Sequence, residues 1–206
     1  MNRLGMRSAF AYFLLGVAYA AVVAIGMAKT GLVKPIVDPI LAIMEVLTLL
    51  GAPLLVIIMA AVHASAAPDN RAYSAAALAF MTLVVGFTSA VHFVGLTALR
   101  QAGAGVLTWP STSYALELLG WDVFLGLSLL CAAPVFQGNG LKRAIRICMS
   151  VTGILCIAGT LGPATGDMRF QFIAVTGYGI LLPITALLLA KDFRRAYHAS
   201  TVRPAA

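Results

Sequence analysis

Four ionisable side chains lie inside long apolar segments of this sequence, where such residues are rare. They are Glu45, His92, Glu117 and Asp122. An acidic residue at the centre of a membrane-spanning helix costs about 2.5 to 3.5 kcal/mol, so such groups usually face the interior of a helix bundle or a wet cavity. A carboxyl group beside a histidine can exchange protons, which both acid/base catalysis and proton transport require. The residue types therefore predict a polar site within the membrane.

The predicted depths of these residues place them on one side of the membrane. Counting about 1.5 Å per residue from the outer end of each helix puts Glu45 and Asp122 about 14 Å deep and Tyr178 about 12 Å deep. The same count puts His92 and Glu117 about 6 to 8 Å deep, so the whole set lies in the outer half. We therefore predict one ligand-binding or proton-coupling site, made of Glu45, His92, Glu117, Trp121, Asp122 and Tyr178.

Spacing along the fourth apolar segment limits what this site can hold. Asp122 lies five residues after Glu117, a rotation of about 140° on a straight α-helix. The two carboxylates therefore do not aim at one small ion unless the helix is kinked. Trp121 lies four residues after Glu117 and shares its face, although packing alone explains a tryptophan there equally well. We expect no metal ion and no cofactor.

No catalytic signature accompanies these residues. The sequence contains no HExxH, GxSxG or phosphate-binding loop, so catalytic residues stay unassigned. Each polar residue taken alone is explained at least as well by a buried structural group that is hydrogen-bonded to a neighbouring helix. The grouping of the set favours instead a cavity that opens to the outer face between the second, third, fourth and sixth helices.

The composition of the chain predicts the helices that hold this site. The chain of 206 residues is 61% hydrophobic and only 10% charged, with a mean hydropathy of +0.97. Such a composition is that of a membrane protein, and a spanning helix needs about 20 apolar residues. We predict an all-α integral membrane bundle, a single transmembrane domain over residues 1–206. Its six predicted helices are 8–28, 36–62, 73–97, 113–133, 143–163 and 170–190.

The distribution of basic residues predicts the orientation. If the N-terminus is cytoplasmic, the inner segments hold ten of the 14 basic residues: Arg3, Arg7, Arg71, Lys142, Arg143, Arg146, Lys191, Arg194, Arg195 and Arg203. The outer segments hold Lys29, Lys34, Arg100 and Arg169. The positive-inside rule then places both termini in the cytoplasm. Because the basic residues are dispersed along membrane edges, the net charge of +7 does not indicate a nucleic-acid partner.

The remaining sequence features concern the first helix, the cysteines and the membrane in which the protein resides. Arg3 and Arg7 precede an apolar run that is longer than the hydrophobic core of a signal peptide, so we favour a retained first helix over a cleaved one. The three cysteines, Cys131, Cys148 and Cys156, form no CxxC motif and are expected to pack as small apolar residues. Short loops and the absence of eukaryotic sorting motifs point to a bacterial inner membrane.

Three function classes agree with these observations. The first is binding of a small solute, with transport coupled to protons, in which Glu45 and Asp122 are the protonatable or cation-binding pair. The second is a membrane-embedded isomerase or hydrolase that acts on a lipid-like substrate. The third is an accessory subunit whose polar groups meet a partner helix. Membrane lipids and a small-molecule ligand are the expected partners, and a homo-oligomer or a membrane partner stays open.

Overall fold

A computed structural model describes residues 2–31, 34–103 and 108–202, and within these ranges the chain is helical and contains no strand. Six helical segments are long and apolar enough to span a membrane. We label them α1 (Asn2–Thr30), α2 (Ile40–Ala64), α3 (Pro68–Leu99), α4 (Thr112–Val135), α5 (Leu141–Thr165) and α6 (Met168–Ala199). The predicted all-α bundle of six transmembrane helices is therefore confirmed.

The helix ends differ from the predicted windows. The second helix begins at Ile40 and not at residue 36, because Pro39 disfavours helical geometry at the residue before it. The first and last helices extend further toward the chain ends than predicted. Residues 104–107 of the predicted outer loop, and Arg203 of the predicted inner charge set, lie outside the described residues.

Apolar surface surrounds the bundle. Every helix exposes at least one large hydrophobic side chain: Leu14, Leu50, Phe93, Leu116, Ile154 and Ile180. In water such a surface would be a large unpartnered apolar area, whereas in a bilayer it meets lipid chains of the same polarity. The exposure pattern therefore agrees with six helices that contact lipid.

The helices pack in a closed ring. Each helix packs against the next in the chain, and α6 packs back against α1. Small residues allow the closest approaches: a Cβ atom added to Gly153 of α5 would come within 2.8 Å of the Gly126 carbonyl oxygen of α4, and one added to Gly159 would clash with Ala174 of α6. Close backbone contact at small residues is a usual source of helix association in membranes.

The first and last parts of the described chain lie at the same end of the bundle. Ser65 Oγ, just after α2, donates a hydrogen bond of 3.4 Å to Asn2 Oδ1, and Gly5 packs against Ala61 and Phe193. We call this the terminal end and the opposite one the distal end. These contacts place the first and last helices' ends together at the terminal end. The cellular compartment that each end of the bundle faces stays a prediction.

Within the described ranges, three π-helical turns interrupt the long helices. They are Gly95–Leu99 in α3, Leu119–Phe124 in α4 and Gly177–Leu181 in α6. A π-turn adds one residue to a helical turn and changes which residues share a face, and such turns often occur at functional sites. These three helices also carry most of the buried polar residues.

Candidate functional site

An ion-pair chain begins near the surface at the distal end and runs inward. The exposed fraction of the side chains falls along this chain of ion pairs. It is 49% for Asp38, two residues before α2, then 21% for Arg100 and 0% for Glu45. Arg100 Nη2 lies 2.7 Å from Asp38 Oδ1 and 2.6 Å from Glu45 Oε2. The guanidinium thus bridges two carboxylates seven residues apart, one just before α2 and one on it.

The backbone holds Arg100 in this position. Arg100 directly follows the π-turn Gly95–Leu99, and its Nη1 donates a hydrogen bond of 2.6 Å to the Gly95 carbonyl oxygen. Its Nε donates to Asp38 Oδ2 at 2.8 Å. The hydrogen bond from Arg100 holds the pKa of the Asp38 carboxyl below its usual value. Asp38 also accepts from the Ala42 amide at 3.1 Å, so it stabilises the first turn of α2 as well.

His92 lies between two carboxylates from different helices. Its Nε2 is 2.9 Å from Glu117 Oε1 on α4, and its Nδ1 is 3.9 Å from Glu45 Oε1 on α2. All three side chains are buried. Nε2 is thus hydrogen-bonded to Glu117, whereas 3.9 Å exceeds hydrogen-bond distance and Nδ1 has no hydrogen-bond partner among the described residues. The imidazole lies between two carboxylates and is in direct contact with one of them.

Three hydrogen-bond partners meet a single oxygen of Glu117. Its Oε1 accepts from Trp121 Nε1 at 2.6 Å and from Thr88 Oγ1 at 2.8 Å, and it is hydrogen-bonded to His92 Nε2 at 2.9 Å. Its Oε2 is buried and has no hydrogen-bond partner among the described residues. These contacts satisfy one oxygen of the Glu117 side chain and leave the other for a further partner. We call Asp38, Glu45, Thr88, His92, Arg100, Glu117 and Trp121 the carboxylate–histidine cluster.

The other two predicted site residues belong to a second group. Asp122 Oδ1 accepts a hydrogen bond of 3.0 Å from Gln171 Nε2 of α6, and the same nitrogen lies 3.5 Å from the Tyr178 hydroxyl. We call these three residues the Asp122 cluster. The two clusters meet where the rings of Trp121 and Tyr178 pack with their centroids 5.3 Å apart. The predicted single set is thus arranged as two adjacent clusters, and the two acids of α4 engage different helices.

Sequence reasoning missed the central role of Arg100. The sequence analysis counts it only among the outer basic residues. On a uniform α-helix Arg100, eight residues after His92, would be rotated about 80° from it. The π-turn between them acts as a one-residue insertion, so Arg100 faces the same side as His92. Thr88 and Gln171 were recognisable as members of polar stripes on their helices, and Thr152 of α5 carried no such signal.

Two cavities of the structure lie away from these clusters. One, of about 10 Å³, is apolar and is lined by residues that include Met59, Met81 and Met149. Another, of about 420 Å³, is an open concavity between Lys191, Arg194, Arg195 and His198 at the terminal end. Neither is lined by a predicted site residue, so the outward-facing cavity stays a prediction. Within the described ranges, no group of three or more His, Cys, Asp or Glu side chains is arranged to hold a metal ion.

Comparison with protein-family models, with curated proteins and with solved structures finds no match to this chain.

Proposed function

We propose that the protein is a proton-coupled carrier of a small solute, with the carboxylate–histidine cluster as its proton-binding centre. The observation that supports this most directly is the position of His92, which is 2.9 Å from Glu117 and 3.9 Å from Glu45 inside an apolar bundle. Ionisable groups at this depth are costly and usually serve ion or substrate pathways in membrane proteins. A histidine between two acids adds the means to move a proton.

The charges of the cluster favour proton binding. The cluster contains three acidic side chains, Asp38, Glu45 and Glu117, and one permanent cation, Arg100, which pairs with Asp38 and Glu45. With a neutral His92 the cluster holds two uncompensated negative charges, and a single bound proton halves that excess. Because uncompensated charge is expensive in a low dielectric, a proton or a cationic group is the natural counter-ion. The side chain of Asp38 is half exposed, so it connects the cluster to the water from which a proton enters.

The same cluster offers groups that would recognise a solute. Glu45 Oε1 and Glu117 Oε2 are buried acceptors without a hydrogen-bond partner among the described residues. Trp121 provides an aromatic surface beside Glu117. A small solute with hydrogen-bond donors, such as an amine, would satisfy both acceptors. In this scheme Tyr178 orients the ligand, and Pro53 of α2 and Pro183 of α6 are the points where the helices bend during the cycle.

A ligand screen with a proton readout tests this function. Thermal unfolding of the purified protein in detergent is measured against amines, amino acids, sterols and lipids, for the wild type and for Glu45→Gln. We expect a compound that raises the wild-type melting temperature, that has no effect on the variant, and whose binding changes the pH of a weakly buffered solution. His92→Gln should bind the compound but abolish the pH change.

Other outcomes would overturn this proposal. A stabilising lipid-like compound that is converted to a product would identify an enzyme. Three results together would favour the accessory-subunit hypothesis over the carrier. No compound would change the melting temperature of the wild type, Glu45→Gln would be as stable as the wild type, and a second membrane protein would co-purify.

We infer also that both termini face the cytoplasm of a bacterial cell. The support is the concentration of basic residues near the ends of the helices at the terminal end, including Arg7, Arg71, Arg143 and Arg194, as the positive-inside rule describes. A reporter fused to the C-terminus that is active only in the periplasm should be inactive. Activity of that fusion would reverse the orientation.

A further inference from the structure

The last turns of α6 carry an open concavity of about 420 Å³ at the terminal end of the bundle. Its lining is entirely basic: Lys191, Arg194, Arg195 and His198. We call it the α6 basic concavity. The side chains of Lys191, Arg194 and Arg195 are exposed, and the ion pairs among the described residues do not involve them. Three cationic side chains therefore border one space without a paired carboxylate from the described chain.

The basic concavity faces away from the helix bundle. Its four residues follow the spacing i, i+3, i+4, i+7, which places them on one face of an α-helix. Phe193 lies on the opposite face, about 200° from Lys191. It is only 2% exposed, and its ring would be 3.2 Å from a Cβ atom added to Gly5 of α1. The neighbouring acid, Asp192, is rotated about 100° from Lys191 and does not line the concavity.

The same face of α6 is apolar and exposed toward the middle of the helix. Ile184 is 41% exposed and Ile180 is 58% exposed. Ile184 lies seven residues, or about two turns, before Lys191, within the α-helix that begins at Leu182, so the two share a face. Ile180 lies about 16 Å along the helix from Lys191, which is about half of a hydrocarbon core of about 30 Å. One helix face thus changes from apolar to basic over the length of one lipid leaflet.

We propose that the α6 basic concavity binds the headgroup of an anionic phospholipid whose acyl chain lies along Ile184 and Ile180. The two guanidinium groups can each donate paired hydrogen bonds to phosphate oxygens, and Lys191 adds a compact positive charge at the membrane edge. Basic clusters that directly follow a spanning helix attract anionic lipids. A soluble anion would gain nothing from the apolar face, so the combination favours a lipid. This site does not depend on the proposed carrier function.

Lipid-dependent stability tests the headgroup preference. Melting temperatures of the full-length protein in detergent are measured with added phosphatidylglycerol and with phosphatidylcholine that has the same acyl chains. We expect phosphatidylglycerol to raise the melting temperature in a saturable manner, as ligand linkage requires, and phosphatidylcholine to have little effect. The double variant Arg194→Gln with Arg195→Gln should lose most of this rise. Both positions are exposed, so the substitutions themselves should change stability little.

A matched control separates this concavity from total charge. Lys142 and Arg143 are exposed residues at the start of α5, at the same end of the bundle. The double variant Lys142→Gln with Arg143→Gln removes the same charge and should keep the phosphatidylglycerol response. If the Arg194 and Arg195 double variant does not fold, Lys191→Gln and Lys142→Gln provide the same comparison with one charge removed from each helix.

A further comparison separates a lipid from a soluble phosphate. Glycerol phosphate and inorganic phosphate carry the charged group without acyl chains, and neither should stabilise the protein at the concentration at which phosphatidylglycerol saturates. Native mass spectrometry should show that the wild type retains more phosphatidylglycerol molecules than the double variant of Arg194 and Arg195.

Four results would overturn the lipid site. Equal stabilisation by the two lipids would mean that only the acyl chains matter. An unchanged response in the double variant of Arg194 and Arg195 would place the lipid elsewhere. An equal loss in the control variant of Lys142 and Arg143 would show a dependence on net charge alone. Stabilisation by glycerol phosphate that matches the lipid would identify a site for a soluble phosphate.

Discussion

The guanidinium of Arg100 lies 2.6 Å from the fully buried carboxylate of Glu45. The two residues come from different helices, and their pairing joins α2 to the end of α3 near His92. Since Glu45 has no access to solvent, its negative charge depends on Arg100 for compensation. Removing one partner of a buried pair costs about 3 to 5 kcal/mol, because the remaining charge stays uncompensated.

Replacement of Arg100 should therefore destabilise the protein. We expect Arg100→Gln to reduce the free energy of unfolding by about 3 kcal/mol, at the lower end of that range because the side chain keeps some contact with solvent. Denaturant unfolding in detergent measures the change. The double variant Arg100→Gln with Glu45→Gln should lose less than the two single variants combined, and strict additivity would contradict the pairing. Arg169→Gln is the matched control, since Arg169 forms an exposed pair with Asp167 and should have little effect.

Loss of the indole donor should weaken the contact between α3 and α4. Trp121→Phe keeps an aromatic ring against Tyr178 but removes the N–H that donates to Glu117 at 2.6 Å and to Thr88 at 3.0 Å. Because one partner of a buried charged hydrogen bond is lost, we expect a destabilisation of about 1 to 3 kcal/mol. Trp109→Phe, at the other tryptophan, should leave stability nearly unchanged. If Trp121→Phe and Trp109→Phe have the same melting temperature, the hydrogen bonds of Trp121 make no specific contribution to stability.

Stability should fall in acid through Asp38. The hydrogen bond from Arg100 lowers the pKa of Asp38 in the folded protein, so this pair contributes stability above the unfolded pKa of about 3.9 and loses it as the pH falls through the folded value. The half-exposed carboxylate limits the effect to about 0.5 kcal/mol. Melting curves of the wild type and Asp38→Asn should therefore differ at neutral pH and converge in acid. A difference that persists well below the folded pKa would contradict this account.

A second acidic group provides a comparison for the same titration. Asp167, between α5 and α6, has its pKa lowered to about 2 by the hydrogen bond from Arg169. The side chains of Asp167 and Arg169 are both solvent-accessible, unlike that of Glu45. Asp167→Asn should therefore also differ from the wild type at neutral pH and converge with it in acid, and salt should reduce the difference because exposed charges are screened.

The close contact between α4 and α5 should not tolerate a side chain. A Cβ atom on Gly153 would lie 2.8 Å from the Gly126 carbonyl oxygen and equally near Leu130. We expect Gly153→Val to cost about 1 to 3 kcal/mol, because the helices must separate. Gly86 of α3 has nothing within 4 Å of its Cβ position, so Gly86→Ala should be neutral or stabilising. Equal effects of the two substitutions would show that packing at Gly153 is not limiting.

The sequence by itself determined the membrane class and the six spans. Hydropathy is a property of local composition, and a bilayer of fixed thickness requires a minimum apolar length, so the number of helices could be read without knowing their partners. The energetic cost of charge in lipid also identified Glu45, His92, Glu117 and Asp122 as buried, and the structure does bury all four. Helix ends were less accurate, since Pro39 and the outer turns respond to local backbone geometry.

Only the tertiary structure decided which of these groups meet. A charged residue at a helix end, such as Arg100, can extend toward the headgroups or turn inward, and nothing in its immediate sequence distinguishes the two. The π-turns of α3 and α4 shift the helix faces by one residue without any change in composition. The π-turn of α3 brings Arg100 to Glu45, whereas Glu117 and Asp122 engage different helices, as a uniform α-helix already predicts. A face assignment that assumes a uniform α-helix therefore fails for Arg100, because its pairing depends on backbone register that hydropathy does not report.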